Sequence, residues 1–303
     1  MKSTLLKSPL APYAALGFGI VCVAFGAIFV RLAGASGPVA GFYRMAVASI
    51  VMLVPVYGRV RATGLPAGVV LKLALIAGVL SAIDTVLWAT GVTLSGATNP
   101  TLLANTAPVW VGLGALLFFG ERLQLGFWVG LVIALAGAVT ILGLDVVREA
   151  TFGLGTFLGM LAAVFFAAFL LVSQRVREHI DALTYNWTIS ASGAILLFAL
   201  VIALRQPLTG YSTNSYLSFL GLGLIPQTLG WLAIHFALGH LSASRVAPTL
   251  LAQPVLTGLL AIPLLGERLT AGQILGGIAV LSGVFLVHRS RAPVDSQPQT
   301  ASI

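Results

Sequence analysis

The chain has 303 residues, of which 58% are apolar and only 8% charged, against about 25% charged in soluble domains. That balance excludes a water-soluble surface, and the net charge of +8 is spread along the chain rather than gathered into a nucleic-acid-binding patch. The single cysteine, Cys22, excludes a disulfide framework and a cysteine metal site.

Ten apolar runs, each long enough for a hydrocarbon core of about 30 Å, follow one another at 13–33, 37–57, 68–92, 98–119, 123–144, 152–175, 183–204, 214–238, 244–265 and 270–288. The first is expected to be a retained span, because its apolar core is too long for a cleaved signal peptide. The runs are continuously apolar and do not alternate, which argues against a β-barrel and for an all-α polytopic membrane protein of ten transmembrane helices. Prolines and glycines inside them are tolerated where neighbouring helices satisfy the freed backbone groups. The short links leave no room for a soluble catalytic domain. Residues 1–12 and 289–303 read as tails, the second polar and disordered.

With the N-terminus inside, Lys2, Lys7, Arg59, Arg61, Lys72, Arg122, Arg175, Arg177, Arg245, Arg289 and Arg291 fall on the inner side, and only Arg31, Arg148, Arg205 and Arg268 on the outer. This bias predicts a multi-pass protein of a bacterial-type inner membrane with both termini cytoplasmic.

Residues 108–137 and 254–283 match at 13 of 30 positions at a constant offset of 146, including Gly120-Glu121-Arg122-Leu123 and Gly266-Glu267-Arg268-Leu269. The chain therefore reads as a duplication: a first repeat at 13–144 (helices 1–5), a linker at 145–151 and a second repeat at 152–288 (helices 6–10). Five helices is an odd number, so the second repeat is expected to enter the membrane inverted, as in many transporters. Tyr43 and Tyr185 correspond at an offset of 142.

Two five-helix repeats, Tyr43-Arg44 near the start of helix 2, Pro108 and Pro254 within the fourth helix of each repeat, and Gly-Glu-Arg-Leu closing that helix resemble the EamA-type branch of the drug/metabolite transporter superfamily, most closely YddG-type amino-acid exporters. The resemblance covers residues 13–288 and implies ten helices, export from the cytoplasm and a metabolite-sized substrate. Arg44 has Asn186 as its counterpart, so the basic position exists in one repeat only.

Asp84 is the sole acid well inside a span, at a cost of at least about 2.5–3.5 kcal/mol on insertion scales. Ser81 and Trp88 share its helix face. It reads as a ligand for a substrate ammonium, as a proton-coupling carboxylate, or as a structural partner of Arg44. Gln227, Trp231 and His235 form a polar-aromatic stripe on helix 8. Tyr43, Arg44, Asn99, Asn105, Thr106, Trp110, Tyr185, Asn186, Trp187, Ser190, Thr249 and Gln253 add further candidate cavity groups. Pro108 and Pro254 bend their helices, while Glu121, Arg122, Glu267 and Arg268 read as gate-end turn residues or as ordinary solvated turns. Gly126-x-x-x-Gly130 and Gly272-x-x-x-Gly276 are packing seams, within or between subunits, or pivots.

Aromatic surface beside amides and single charges suits a secondary transporter exporting amino acids, aromatic ones included, by alternating access. Drugs or purine- and nucleoside-like metabolites are the alternative cargo. No P-loop is present, and no cofactor or metal is expected. Protons are a candidate coupling partner through Asp84 or His235. A lipid-modifying membrane enzyme would need clustered carboxylates or histidines and is disfavoured. The expected partners are a small-molecule substrate and the bilayer, in a monomer or weak homodimer.

Overall fold

The computed structural model describes residues 8–95, 98–142, 153–266 and 268–290. Glu267, the side chain of Asn99, the 145–151 linker and most of both tails lie outside the described residues. Ten helices are long and apolar enough to cross a membrane: α1 (Ala11–Ala33), α2 (Gly37–Thr63), α3 (Gly68–Val92), α4 (Pro100–Phe119), α5 (Leu125–Leu142), α6 (Leu154–Arg177), α7 (Ala182–Ala203), α8 (Thr213–Leu238), α9 (Ala243–Leu265) and α10 (Ala271–Arg289). No strand occurs among the described residues. These are the ten spans that hydropathy predicts. Only α2 runs well past its expected end, by about a turn and a half. Tyr57, Arg59 and Arg61 are exposed there, so the last turns leave the apolar core and hydropathy alone stops short of them.

Local chemistry sets the helix ends. Asp181 accepts hydrogen bonds from the Leu183 and Thr184 amides at the start of α7, and Ser212 accepts one from Ser215 at the start of α8. Thr270 and Gln273 cap α10 reciprocally, satisfying donors that have no partner within the helix. Gly120 and Gly266 close α4 and α9 with φ of 62° and 67°. Only glycine takes that left-handed conformation freely, which accounts for the first residue of both Gly-Glu-Arg-Leu segments.

Glycine also sets the main seams. A Cβ on Gly130 would lie 2.7 Å from the Gly283 carbonyl oxygen, and one on Gly137 would lie 2.5 Å from that of Gly276. Helices α5 and α10 thus run antiparallel in near backbone contact. The two pairings are interchanged by the 146-residue offset of the repeat. Gly130 and Gly276, one glycine of each Gly-x-x-x-Gly segment, are spent on this internal seam. Helices α2 and α7 also pack antiparallel, with Gly193 against the Met45 thioether and the Trp187 indole donating to the Ser49 carbonyl at 3.0 Å.

Three spans are interrupted. α4 breaks at Asn105-Thr106 and α9 at Leu251-Ala252, each just upstream of its proline and at equivalent repeat positions. In α8, Gly223–Gly230 form a π-helix around Pro226. Proline offers no N–H and crowds the preceding turn. The wider turn absorbs the defect, and the Thr228 hydroxyl donates to the Gly223 carbonyl at 2.7 Å. The counterpart helix α3 is regular through this stretch.

Candidate functional site

We call the end of the bundle at which α1 starts the near face and the opposite end the far face. Arg44 lies about 10 Å in from the far face along α2, and Asp84 about 12 Å in along α3, by helix rise. Both side chains are half-buried, and their opposite charges act on each other. No ion pair within 4.0 Å joins them, however. The Arg44 Nε is sealed from solvent with no acceptor. The Arg44 carbonyl faces Gly223, where a Cβ would collide with Val47 at 2.4 Å, so close packing of α8 on α2 fixes the arginine backbone. One turn along α3 from Asp84, the Trp88 indole donates to the Thr101 hydroxyl at 3.1 Å, tying α3 to α4. Ser81, one turn the other way, is half-buried and accepts at its carbonyl from Thr85.

Tyr43 closes the far face rather than lining this interior. Its hydroxyl donates to the Leu208 carbonyl at 2.5 Å and its ring stacks on Phe219 at 4.3 Å. Tyr211 and Tyr216 edge the same cluster. Ser36 donates to Gln206 beside it.

Near mid-depth, three polar side chains are buried together between α7 and α8. Gln227 donates to the Ser190 hydroxyl at 3.1 Å, and Asn186 donates to the Gln227 carbonyl at 3.0 Å. The Asn186 Oδ1 and Gln227 Oε1 acceptors have no partner, a cost of about 1–3 kcal/mol each when buried. Trp187 points away, into a cluster with Ala48, Met52 and Val56 of α2.

Towards the near face the α8 stripe meets aromatic neighbours. Trp231 packs against Phe166 and Phe169 with centroids 6.1 and 5.5 Å away. His235 is fully buried between Trp231, Phe169 and Tyr185 at 5.3, 6.0 and 4.8 Å, and neither ring nitrogen has a partner. Tyr185, itself buried, donates to Ser173 at 2.6 Å. Arg177 anchors this cluster: its Nε donates to the His235 carbonyl at 2.8 Å while its Nη1 is sealed and unpaired. The sequence marks Arg177 only as an inner-side charge. Its burial against α8 had no signal beyond its place at the end of an apolar helix.

Trp110 is half-buried in α4 with its indole nitrogen sealed and unpartnered. Asn105 sits on the α4 break, and Gln253 begins the second half of α9. Both are half-buried. Thr249 bonds His288 at 2.8 Å, so it joins α9 to α10. At the near face the Ser244 hydroxyl donates to Glu121 at 2.5 Å, and the Ala243 amide donates to Gln174 at 2.5 Å. The start of α9 is thereby fastened to the ends of α4 and α6. Arg122 and Arg268 are exposed. A cleft of about 230 Å³ lined by Arg59, His179 and Asp181 opens on the near face. No group of three His, Cys, Asp or Glu side chains able to hold a metal gathers among the described residues.

The sites named from the sequence therefore fall into three levels: Arg44 and Asp84 towards the far face, Gln227 at mid-depth, and Trp231, His235 and Tyr185 towards the near face. Comparison with known proteins adds the family. A transporter of Clostridium kluyveri without an assigned substrate is 23% identical over 216 residues, 70% of either chain. A probable terminal-alkyne amino-acid exporter of Streptantibioticus cattleyicolor is 25% identical over 62% of this chain and 63% of its own. A probable amino-acid metabolite efflux pump of Salmonella typhimurium is 26% identical over 58% and 62%. The last two matches span less than two thirds of those relatives. One crystal structure shares the fold at a TM-score of 0.79 and 18% identity, covering 94% of this chain and 99% of its own. The signature of the EamA-like transporter family matches twice, over residues 10–143 and 153–289, and the chain belongs to that family.

Proposed function

We propose that the protein is an inner-membrane secondary transporter that exports amino acids, aromatic ones included, by alternating access between two inverted repeats. The observation that carries this reading is the half-buried Arg44 and Asp84 held within apolar spans of an EamA-family bundle. Charge at that depth is costly and marks a solute pathway more readily than a scaffold. The names of the two exporter relatives support amino acids as cargo.

Inversion is supported by the seams. α5 against α10 and α2 against α7 are equivalent helices packed antiparallel, the arrangement expected of a two-fold axis in the membrane plane. The positive-inside bias supports a cytoplasmic near face and cytoplasmic termini. In this conformation Glu121, Ser244, Gln174 and Ala243 fasten the near end of α9, and Tyr43 fastens the far end of α2 to the α7–α8 link. Transport then requires one set of ties to open while the other holds.

The test is efflux of preloaded radiolabelled phenylalanine or threonine from proteoliposomes, with and without a pH gradient. Efflux above that of empty liposomes, competed by other amino acids, is the expected result. Dependence on the gradient would add proton coupling. No efflux of either amino acid in either condition would overturn the reading and direct the search to drugs or nucleosides.

A further inference from the structure

Arg44 and Asp84 present an unusual electrostatic arrangement. An arginine cannot give up its proton in a protein, so the guanidinium keeps its charge inside the bundle. Its Nε has no acceptor, and no hydrogen bond holds the Asp84 carboxylate among the described residues. The two charges sense each other but stop short of the 4.0 Å of an ion pair. Were mutual neutralisation their whole purpose, contact would be favoured, because attraction rises as the separation falls and the dielectric is low. Arg44 sits on a stretch of α2 packed closely against Gly223 of α8, while α3 is tied to α4 through Trp88 and Thr101.

Two opposite charges at similar depth with no bond between them suit a ligand that carries both charges on one carbon. We propose that Arg44 and Asp84 clasp the two ends of an α-amino acid zwitterion, the carboxylate against the guanidinium and the ammonium against Asp84. This rests on the amino-acid transporter reading above and adds to it the groups that recognise the amino-acid head. Two consequences follow from charge alone. The ligand is neutral and so is the pair, so loading the site leaves the buried net charge unchanged. A one-ended amine or acid satisfies one partner and leaves the other bare, which penalises it as losing a buried charged hydrogen bond does. Selectivity then lies in the head group, and the side chain of the amino acid is left free to vary.

Counterflow of labelled phenylalanine in proteoliposomes tests this, with unlabelled phenylalanine, 2-phenylethylamine and 3-phenylpropionate as competitors. Wild-type protein should prefer phenylalanine to either one-ended analogue by at least about tenfold. Asp84→Asn should weaken phenylalanine about tenfold and bring 3-phenylpropionate level with it. Arg44→Gln should do the reverse, raising 2-phenylethylamine to parity, and Arg44→Lys should keep the wild-type ranking at lower affinity. Thermal unfolding in detergent establishes that each variant is folded, and if Arg44→Gln is not, the Asp84→Asn ranking decides. Variants that lose all three competitors in proportion, as a structural role requires, would overturn the clasp. Wild-type phenylalanine flux that ignores the missing end would overturn it while leaving the transporter reading intact. Absence of any wild-type amino-acid flux would remove both.

Discussion

His235 sits among three aromatic rings with both imidazole nitrogens unpartnered, while its backbone carbonyl accepts from Arg177. The side chain and the backbone of one residue therefore have opposite energetic signs. Replacing the ring removes two desolvated polar atoms and keeps the carbonyl bond, so His235→Leu should unfold in detergent at a temperature no lower than wild type. A clear drop would mean that the ring holds a bond in the membrane that this conformation does not show. Arg177→Ala leaves the same carbonyl without its donor and exposes a polar hole beneath Gly239. It should cost about 1.5–3 kcal/mol, read as a lower unfolding midpoint. Helical spacing correctly puts Gln227, Trp231 and His235 along one side of α8. It cannot say what covers that side. The covering groups belong to α6 and α7 and differ at every turn: Ser190 and Asn186 for Gln227, Phe166 and Phe169 for Trp231, and Tyr185 for His235. For the same reason Tyr43 and Trp187, polar-tipped aromatics in spans, could not be sorted from the sequence into cavity, lid or helix clamp.

At the scale of elements, much was legible because each feature has a local cause. Pro108 and Pro254 announce the breaks in α4 and α9, and the glycines of the two Gly-Glu-Arg-Leu segments announce left-handed caps. The glycine stripes of α5 and α10 announced close packing but not its partner, since either a second copy or the same chain could supply one. The seam makes a graded prediction. A side chain at Gly137 would meet the Gly276 carbonyl oxygen and the Val280 nitrogen at 2.5 and 2.6 Å, backbone atoms that cannot step aside. Gly137→Val should cost about 1–3 kcal/mol or more and reduce the folded yield on size exclusion. At Gly272 the nearest atom to an added Cβ is the Thr140 oxygen at 3.7 Å, so Gly272→Ala should leave both yield and midpoint near wild type. Equal damage at both positions would mean that the stripes are not the contact surface.

At the scale of the whole molecule, ties at both faces couple the halves of the chain. Glu121 ends the fourth span and Ser244 begins the ninth, and they meet across the repeat boundary. Cysteines placed at both positions in a Cys22→Ala background, joined by a short thiol-to-thiol reagent, should hold the near face shut. Amino-acid efflux should then fall at least about tenfold and return on reduction, if this contact opens during each cycle. Unchanged efflux after complete cross-linking would place the moving gate elsewhere. The two halves are nevertheless not mechanical copies. α8 winds as a π-helix over Gly223–Gly230, where its counterpart α3 is α-helical throughout. A π-helix takes more residues per turn than an α-helix, so side chains beyond the segment leave the axis of α8 in directions that their counterparts on α3 do not share. Equivalent positions of the two repeats therefore present different surfaces to the bundle at this pair of helices.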